Sequence, residues 1–265
     1  MSDKPTRPAL VNVQTEDSCA SFEWQWTQQT VLDSKSTLYR KLFESRGVWY
    51  DHYDGKIVAD VGSGMGRLTW ALAELTRARE IISVELSPMS VAKQRTYITD
   101  PRVKFLQADL AIVKFKADVI HAAGVIQHTR DPFVTLSNLI DNLTEGGELF
   151  ISFYLRTMAT QMLQPLRLVL SRLPKRMLWS LTPLLAPLFM VRWAGRESGY
   201  KTAMHTAYDW FGSHEFQYYF TDRQIRRLFN QCGIHPHNVI QIAKGLYKVR
   251  KGVFPIMLEE ELRAF

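Results

Sequence analysis

The sequence predicts a doubly wound α/β fold: a mostly parallel, seven-stranded sheet flanked by helices, closed by an antiparallel C-terminal strand and carrying a helical insert. Three observations predict it. Between residues 56 and 154, short apolar runs of strand length alternate with amphipathic segments, and such alternation implies parallel strands joined by right-handed crossovers. The first strand runs directly into the glycine turn Gly62-Ser63-Gly64-Met65-Gly66 and then a helix. Two apolar runs near the C-terminus, separated by the short turn Lys244-Gly245, read as a hairpin, so one closing strand must run antiparallel.

The elements follow in order. Residues 1–55 form a polar arm with an aromatic cluster, Phe22, Trp24 and Trp26, expected to dock by its tryptophans, and a helix capped at Asp33 or Ser34 that buries Leu38, Leu42 and Phe43. Residues 56–154 hold the core. KIVADVG is a buried strand, RLTWALAELT a helix, IISVEL a strand, PMSVAKQRT a helix, and VKFLQA and ADVIHAA two further strands. Asp131 caps the helix DPFVTLSNLIDNL, with Pro132 in its first turn. Gly146-Gly147 is expected to break the chain before the strand ELFISFY. Residues 155–210 form the insert, whose Pro165, Pro174, Pro183 and Pro187 predict several short helices. Residues 211–265 return to the core through TDRQIRRLFNQ, which has Thr221 and Gln224 as a capping box and Gly233 as its stop, and then the hairpin NVIQIA and LYKVR.

Composition narrows the function classes. The chain has 265 residues, 46% apolar and 22% charged, which suits one large globular domain with an elaboration. Cys19 and Cys232 show no metal-type spacing and suggest no disulfide framework, as expected in a reducing cytoplasm. The N-terminus lacks the basic-then-apolar build of a secretory signal. The longest apolar stretch, Leu178 to Val191, is interrupted by Ser180, Thr182, Pro183 and Pro187 and falls short of the roughly 20 residues that span a bilayer. The net charge of +7 resides in the insert: Arg156, Arg167, Arg172, Lys175, Arg176, Arg192 and Arg196 are met by no acidic residue between 155 and 196, and the rest of the chain is balanced.

The glycine turn, preceded by Asp60, permits backbone N–H groups to approach a ligand without an intervening Cβ. The second strand ends in Glu85, where doubly wound folds offer a carboxylate to ribose hydroxyls, and the third ends at Asp109. The G-x-G-x-G spacing differs from a dinucleotide fingerprint, and Arg67 is the one basic residue near the turn. A ligand with a ribose and no phosphate fits better.

With these residues in place, residues 56–154 resemble the class I S-adenosylmethionine-dependent methyltransferases, in particular the branch similar to ubiquinone biosynthesis methylases, and Tyr208 to Gly233 do so more loosely. The resemblance implies a Rossmann-like sheet and S-adenosylmethionine as cofactor; no metal is expected, because no cluster of residues has convincing ligand spacing. Asp60, Gly62, Ser63, Gly64 and Gly66 would hold the methionine end, Glu85 the ribose hydroxyls, and Leu86 and Met89 the two faces of the adenine. Asp109, with Ala108 beside it, would accept from the adenine amino group. Gly124 to Pro132 resembles the stretch that flanks the sulfonium.

Exclusion bears on the acceptor. The place where DNA amino-methyltransferases carry an Asn/Asp-Pro-Pro-aromatic motif reads Ala122-Ala123-Gly124-Val125 here, no cysteine lies nearby for cytosine C5 chemistry, and the paired-glutamate loop of arginine methyltransferases is missing. A small-molecule acceptor is favoured, with oxygen ahead of carbon or nitrogen as the methylated atom. For a hydroxyl acceptor a base is needed, and His128, just beyond the fourth strand, is the first candidate. Tyr208 and His214 are further catalytic candidates, with His205 and Asp209 in the same stretch. His235 and His237 flank Pro236 in a surface turn and are assigned no metal.

The leucine-rich, basic insert reads as a lid over an acyl, polyketide, quinone-like or prenyl-like substrate, or as an amphipathic surface that rests on anionic lipid. It is poor in Asn, Gly and Tyr, and a nucleic-acid partner is not expected. The sequence therefore predicts a cytoplasmic, or peripherally membrane-bound, methyltransferase of a small, partly apolar acceptor. One rival is a methyltransferase of a soluble sugar or glycan precursor. The other is a catalytically silent S-adenosylmethionine-binding partner protein, against which the intact Asp60, glycine turn and Glu85 argue.

Overall fold

The computed structural model describes residues 49–192, 200–212 and 216–252. The N-terminal arm with its tryptophans and expected helix lies outside these residues, as do Cys19, Arg196 and His214.

A single sheet of seven strands organises the core: β1 (Ile57–Val61), β2 (Glu80–Glu85), β3 (Val103–Gln107), β4 (Ala117–Ala122), β5 (Leu143–Ser152), β6 (Val239–Ala243) and β7 (Leu246–Arg250). Their order is β3-β2-β1-β4-β5-β7-β6. Strands β1 to β5 pair in parallel, while β7 runs antiparallel to both β5 and β6. The predicted hairpin thus inserts its second strand beside β5 and leaves its first at the edge.

Alternation along each strand feeds two separate cores. Val58, Ile81, Val119 and Phe150 point to one face, where helix α1 (Arg67–Leu75) covers them with Leu68, Ala71 and Leu72. Ala59, Val61, Ile82, Val84, Ile120, Ala122, Leu149 and Ile151 point to the other, beneath Leu136, Leu139 and Ile140 of α3 (Pro132–Asn142) and Ile225 and Phe229 of α7 (Asp222–Gln231). Each fully buried leucine or isoleucine contributes about 1.5–3 kcal/mol relative to exposure. Helix α2 (Pro88–Tyr97) starts at Ser87, whose hydroxyl caps the Ser90 amide at 3.0 Å. The predicted caps form: Asp131 Oδ1 accepts from the amides of Phe133 and Val134, and Thr221 with Gln224 closes a capping box.

The sheet departs from expectation at Gly146-Gly147. These glycines lie inside β5, and the pairing with β4 shifts register between Ala117 and Val119. A Cβ on Gly147 would sit 2.9 Å from the Thr144 carbonyl oxygen and 3.0 Å from that of Asp118. The glycines therefore permit a bulge in the strand where a break was expected.

The insert forms a second, helical layer of α4 (Met158–Leu170), α5 (Lys175–Arg192) and α6 (Tyr200–Phe211). Three of its four prolines do not end helices, contrary to the sequence expectation: Pro165 lies inside α4, and Pro183 and Pro187 lie inside α5. Pro183 cannot donate to the Trp179 carbonyl one turn back, and the Thr182 hydroxyl donates there instead, at 2.7 Å. Pro187 likewise leaves the Pro183 carbonyl without its helical donor, and the Tyr200 hydroxyl of α6 supplies one at 2.7 Å. Leu178, Ala186, Phe189, Ala203, Ala207, Tyr208 and Phe211 form a core belonging to this layer alone. Leu155 bridges to Phe220 where the chain leaves and rejoins the sheet.

Candidate active site

The strand order reverses between β1 and β4, and in open parallel sheets ligands bind outside the carboxyl ends of the strands at such a point. The predicted residues gather there. Gly62, Gly64 and Gly66 all have left-handed φ, at 63°, 56° and 70°. A Cβ on Gly62 would lie 2.3 Å from Val125 Cγ2, so the absence of a side chain lets the turn after β1 approach the loop after β4.

A lattice of polar groups holds this turn from behind. Asp60, at 4% exposure, accepts through Oδ2 from both the amide and the hydroxyl of Thr69, at 2.9 and 2.7 Å, and so ties the end of β1 to α1. Gln94 donates from Nε2 to the Gly64 carbonyl at 2.8 Å and to Ser63 Oγ at 2.9 Å, and its Oε1 accepts from Ser83 Oγ at 2.7 Å. Ser83 and Gln94 were not among the sequence candidates. Their role depends on α2 lying against the turn, which no motif spells.

Glu85 links three elements. Its Oε2 accepts from the Gly64 amide at 2.8 Å and its Oε1 from the Ser87 amide at 3.0 Å, joining the turn after β1, the end of β2 and the start of α2. A carboxylate has about four acceptor positions. These two bonds hold the carboxylate in place beside the turn. Leu86 is partly buried, and Met89, at 39% exposure, projects from the first turn of α2. Ala108 donates to the Glu85 carbonyl at 3.0 Å, while Asp109 Oδ1 accepts from the Ala111 amide at 2.8 Å and shapes the loop after β3. The turn, Glu85 and Asp109 thus line up on the ends of β1, β2 and β3.

Beyond β4, Gly124 adopts φ 74° and donates to Ser152 Oγ at 2.8 Å. A single 3-10 turn, Ile126–His128, follows. His128 is buried, and its Nδ1 lies 3.1 Å from the Phe216 carbonyl oxygen. A carbonyl only accepts, so the proton sits on Nδ1 and the neutral ring carries its lone pair on Nε2. Burial pushes the imidazole down from 6.5 to about 4, against the Phe216 bond, and the positive charge of Arg167 adds to the fall.

The His128 ring meets Tyr154 edge-on at 5.4 Å, and Tyr154 lies 6.0 Å from the ring of Tyr219. Burial, and next the charge of Asp209, raise the Tyr154 phenol above its ordinary value. Tyr154, Tyr219, Gln217 and Arg167 were not sequence candidates, and Gln127 entered only as a member of the stretch Gly124 to Pro132. They come from four separate stretches that meet only when the helical layer closes against the sheet. The signal for Tyr154 was its place just beyond the end of β5.

The remaining catalytic candidates stand elsewhere. Tyr208 is fully buried in the core of the helical layer, its ring 5.7 Å from Trp179, and the His205 ring is 5.0 Å from the same tryptophan. His235 and His237 stack at 5.0 Å in a 3-10 turn. No group of acidic, His and Cys residues with metal-binding geometry occurs among the described residues.

Comparison with known proteins agrees with this geometry. Residues 59–149 match the family model described as a methyltransferase domain. A tRNA U34 carboxymethyltransferase of Campylobacter fetus is 34% identical over 101 residues, covering 36% of this chain and 36% of that protein. A ubiquinone biosynthesis O-methyltransferase of Haemophilus ducreyi is 27% identical over 117 residues, covering 41% of this chain and 50% of that protein. The chain thus spans no more than half the length of these curated relatives. The structure of magnesium protoporphyrin IX methyltransferase from Synechocystis PCC 6803 with bound S-adenosylmethionine superposes with a TM-score of 0.51 at 14% identity, over 91% of this chain and all of that one, a likeness of fold. A methyltransferase domain of this kind implies S-adenosylmethionine as cofactor, and the set of donors and acceptors around Glu85 suits its ribose. Turn, strand order and family match together mark residues 59–149 as a methyltransferase domain, set in a sheet with the class I methyltransferase fold.

Proposed function

We propose that this protein methylates a hydroxyl group of a small, partly apolar acceptor, natural-product-like, quinone-like or lipid-like, bound between the ends of β4 and β5 and the helical layer. The supporting observation is His128, a buried, neutral imidazole oriented by Phe216 so that its basic nitrogen is Nε2. Asp60 and the Gly62–Gly66 turn would hold the methionine end of the cofactor, Glu85 the ribose, Leu86 and Met89 the adenine faces, and Asp109 with Ala108 the adenine edge. Bound S-adenosylmethionine supplies an electrophilic methyl group. His128 takes the acceptor's proton at Nε2, and the helical layer excludes water from the site.

Peripheral attachment to an anionic membrane is a second reading, supported by one observation. Helix α4 is apolar on its outer face: Met158, Met162, Leu166 and Val169 recur at helical spacing with exposures of 76%, 76%, 40% and 61%. Met177, Leu184 and Leu188 do the same on α5, and the basic residues Arg156, Arg172, Lys175 and Arg176 flank these stripes. No helix among the described residues is long and apolar enough to cross a membrane.

The decisive experiment is calorimetry with S-adenosylhomocysteine followed by an acceptor screen using labelled S-adenosylmethionine. Cofactor binding with transfer to apolar hydroxyl compounds supports the first reading. Preference for an unlipidated sugar would overturn it in favour of a glycan precursor, and binding without any transfer would favour a silent partner protein.

A further inference from the structure

Helix α4 is turned the opposite way from an ordinary surface helix. Apolar residues line its outer face, whereas the inner face, Thr160, Leu163, Gln164 and Arg167, is centred on an arginine only 7% exposed. A buried guanidinium is expected to be matched by a carboxylate, because an unpaired charge away from water is strongly disfavoured. No carboxylate among the described residues pairs with Arg167. Its Nε donates to Gln217 Oε1 at 2.7 Å, and Gln217 in turn donates from Nε2 to the Tyr219 hydroxyl at 2.7 Å.

The surroundings of Arg167 are those of the proposed acceptor site. Its charge reaches His128 and is felt by Tyr219, whose ring adjoins Tyr154. Gln127, fully buried next to His128, is close enough to Tyr154 to affect its phenol, yet neither its Nε2 nor its Oε1 makes a well-formed hydrogen bond. A ligand reaching these weakly matched atoms would complete their hydrogen bonding. A planar fork of N–H donors beside an amide and two phenols suits a planar or tetrahedral oxyanion.

We infer that Arg167, with Gln127 beside it, forms an oxyanion subsite within the acceptor pocket, so that the acceptor carries a carboxylate or phosphate on the side facing the helical layer. This rests on the proposed methyltransferase function and names the class of its substrate. The subsite would orient the acceptor's apolar body and its hydroxyl toward His128, and closure of the anion onto Arg167 would supply a charge pairing that the described residues do not. An uncharged apolar alcohol, or a neutral sugar, would leave the guanidinium unpaired and be discriminated against.

The full chain saturated with S-adenosylhomocysteine is titrated with benzoate, phenyl phosphate and the neutral benzamide, in parallel with Arg167→Met and Arg167→Lys. The wild type is expected to bind at least one anion about tenfold or more tightly than benzamide, and the stronger anion distinguishes carboxylate from phosphate. Arg167→Met should lose that preference and Arg167→Lys retain part of it. Without anion, the thermal midpoint of Arg167→Met should stay level or rise, because an uncompensated buried charge has been removed. Absence of anion preference in the wild type, its survival in Arg167→Met, or a much lowered midpoint in both variants would overturn the subsite. So would a large loss of S-adenosylhomocysteine affinity in both variants, which would give Arg167 to the methionine carboxylate. Failure of the wild type to bind S-adenosylhomocysteine would instead defeat the proposed function itself.

Discussion

The amide of Gly64 donates to Glu85 Oε2 across 2.8 Å, so the tip of the glycine turn is tied to the carboxylate at the end of the neighbouring strand. One side chain thereby shapes the turn and presents acceptor oxygens beside it. Glu85→Ala should weaken binding of S-adenosylhomocysteine by about 1.5–3 kcal/mol through loss of charge-assisted bonds. Isothermal calorimetry checks this, and an unchanged affinity would remove Glu85 from the cofactor site.

Gly62 combines φ 63° with a Cβ position 2.3 Å from Val125 Cγ2. Gly62→Ala is expected to lower stability by at least about 1–2 kcal/mol from the left-handed backbone alone, with the clash in addition. Pairing it with Val125→Gly should recover the clash part but not the backbone part, as denaturant unfolding of the two variants would reveal.

Replacing His128 by Gln should leave cofactor affinity almost unchanged and reduce turnover by about 10²- to 10⁴-fold if the imidazole serves as base. Steady-state kinetics beside calorimetry separates the two effects, and full turnover in the variant would leave His128 a structural group.

The same histidine makes stability depend on pH. Burial holds the native imidazole at about 4, against 6.5 as its ordinary value. Between these values the unfolded chain binds a proton that the native ring refuses, so the native state loses stability as pH falls from about 6.5 toward 4, on the order of 1–3 kcal/mol in all. Chemical denaturation at pH 7.5 and 5 should show the loss, and His128→Gln should flatten it.

Vesicle sedimentation tests the membrane reading. Anionic vesicles should retain the protein at low salt and release it at high salt, with each surface basic residue contributing about 1 kcal/mol. Substituting Met158, Met162 and Val169 by Gln should weaken retention. Equal behaviour on neutral and anionic vesicles would end this reading.

Strand alternation, the G-x-G-x-G turn and the acidic ends of β2 and β3 were legible in the chain because each obeys a short-range rule: a period of two, a left-handed backbone, a residue at a strand terminus. Those features sufficed for the sheet and its antiparallel closure, and they set the glycine turn, Glu85 and Asp109 on neighbouring strand ends. The tertiary structure decided matters that no local rule contains. Helix α5 continues through Pro183 and Pro187 because Thr182 and Tyr200 donate to the two carbonyls that the prolines leave unserved, and Tyr200 arrives from another helix. Gly147 lies in a bulge within β5 rather than in a break, where the carbonyl oxygens of Thr144 and Asp118 occupy the space a Cβ would need. On α4 the apolar period was visible, yet which face turned inward was settled by packing against residues 216–220. That contact buries Arg167 among Gln217 and Tyr219 and leaves the methionines outside. Periodicity reports that a helix has two faces. Only the groups it meets determine which of them is buried.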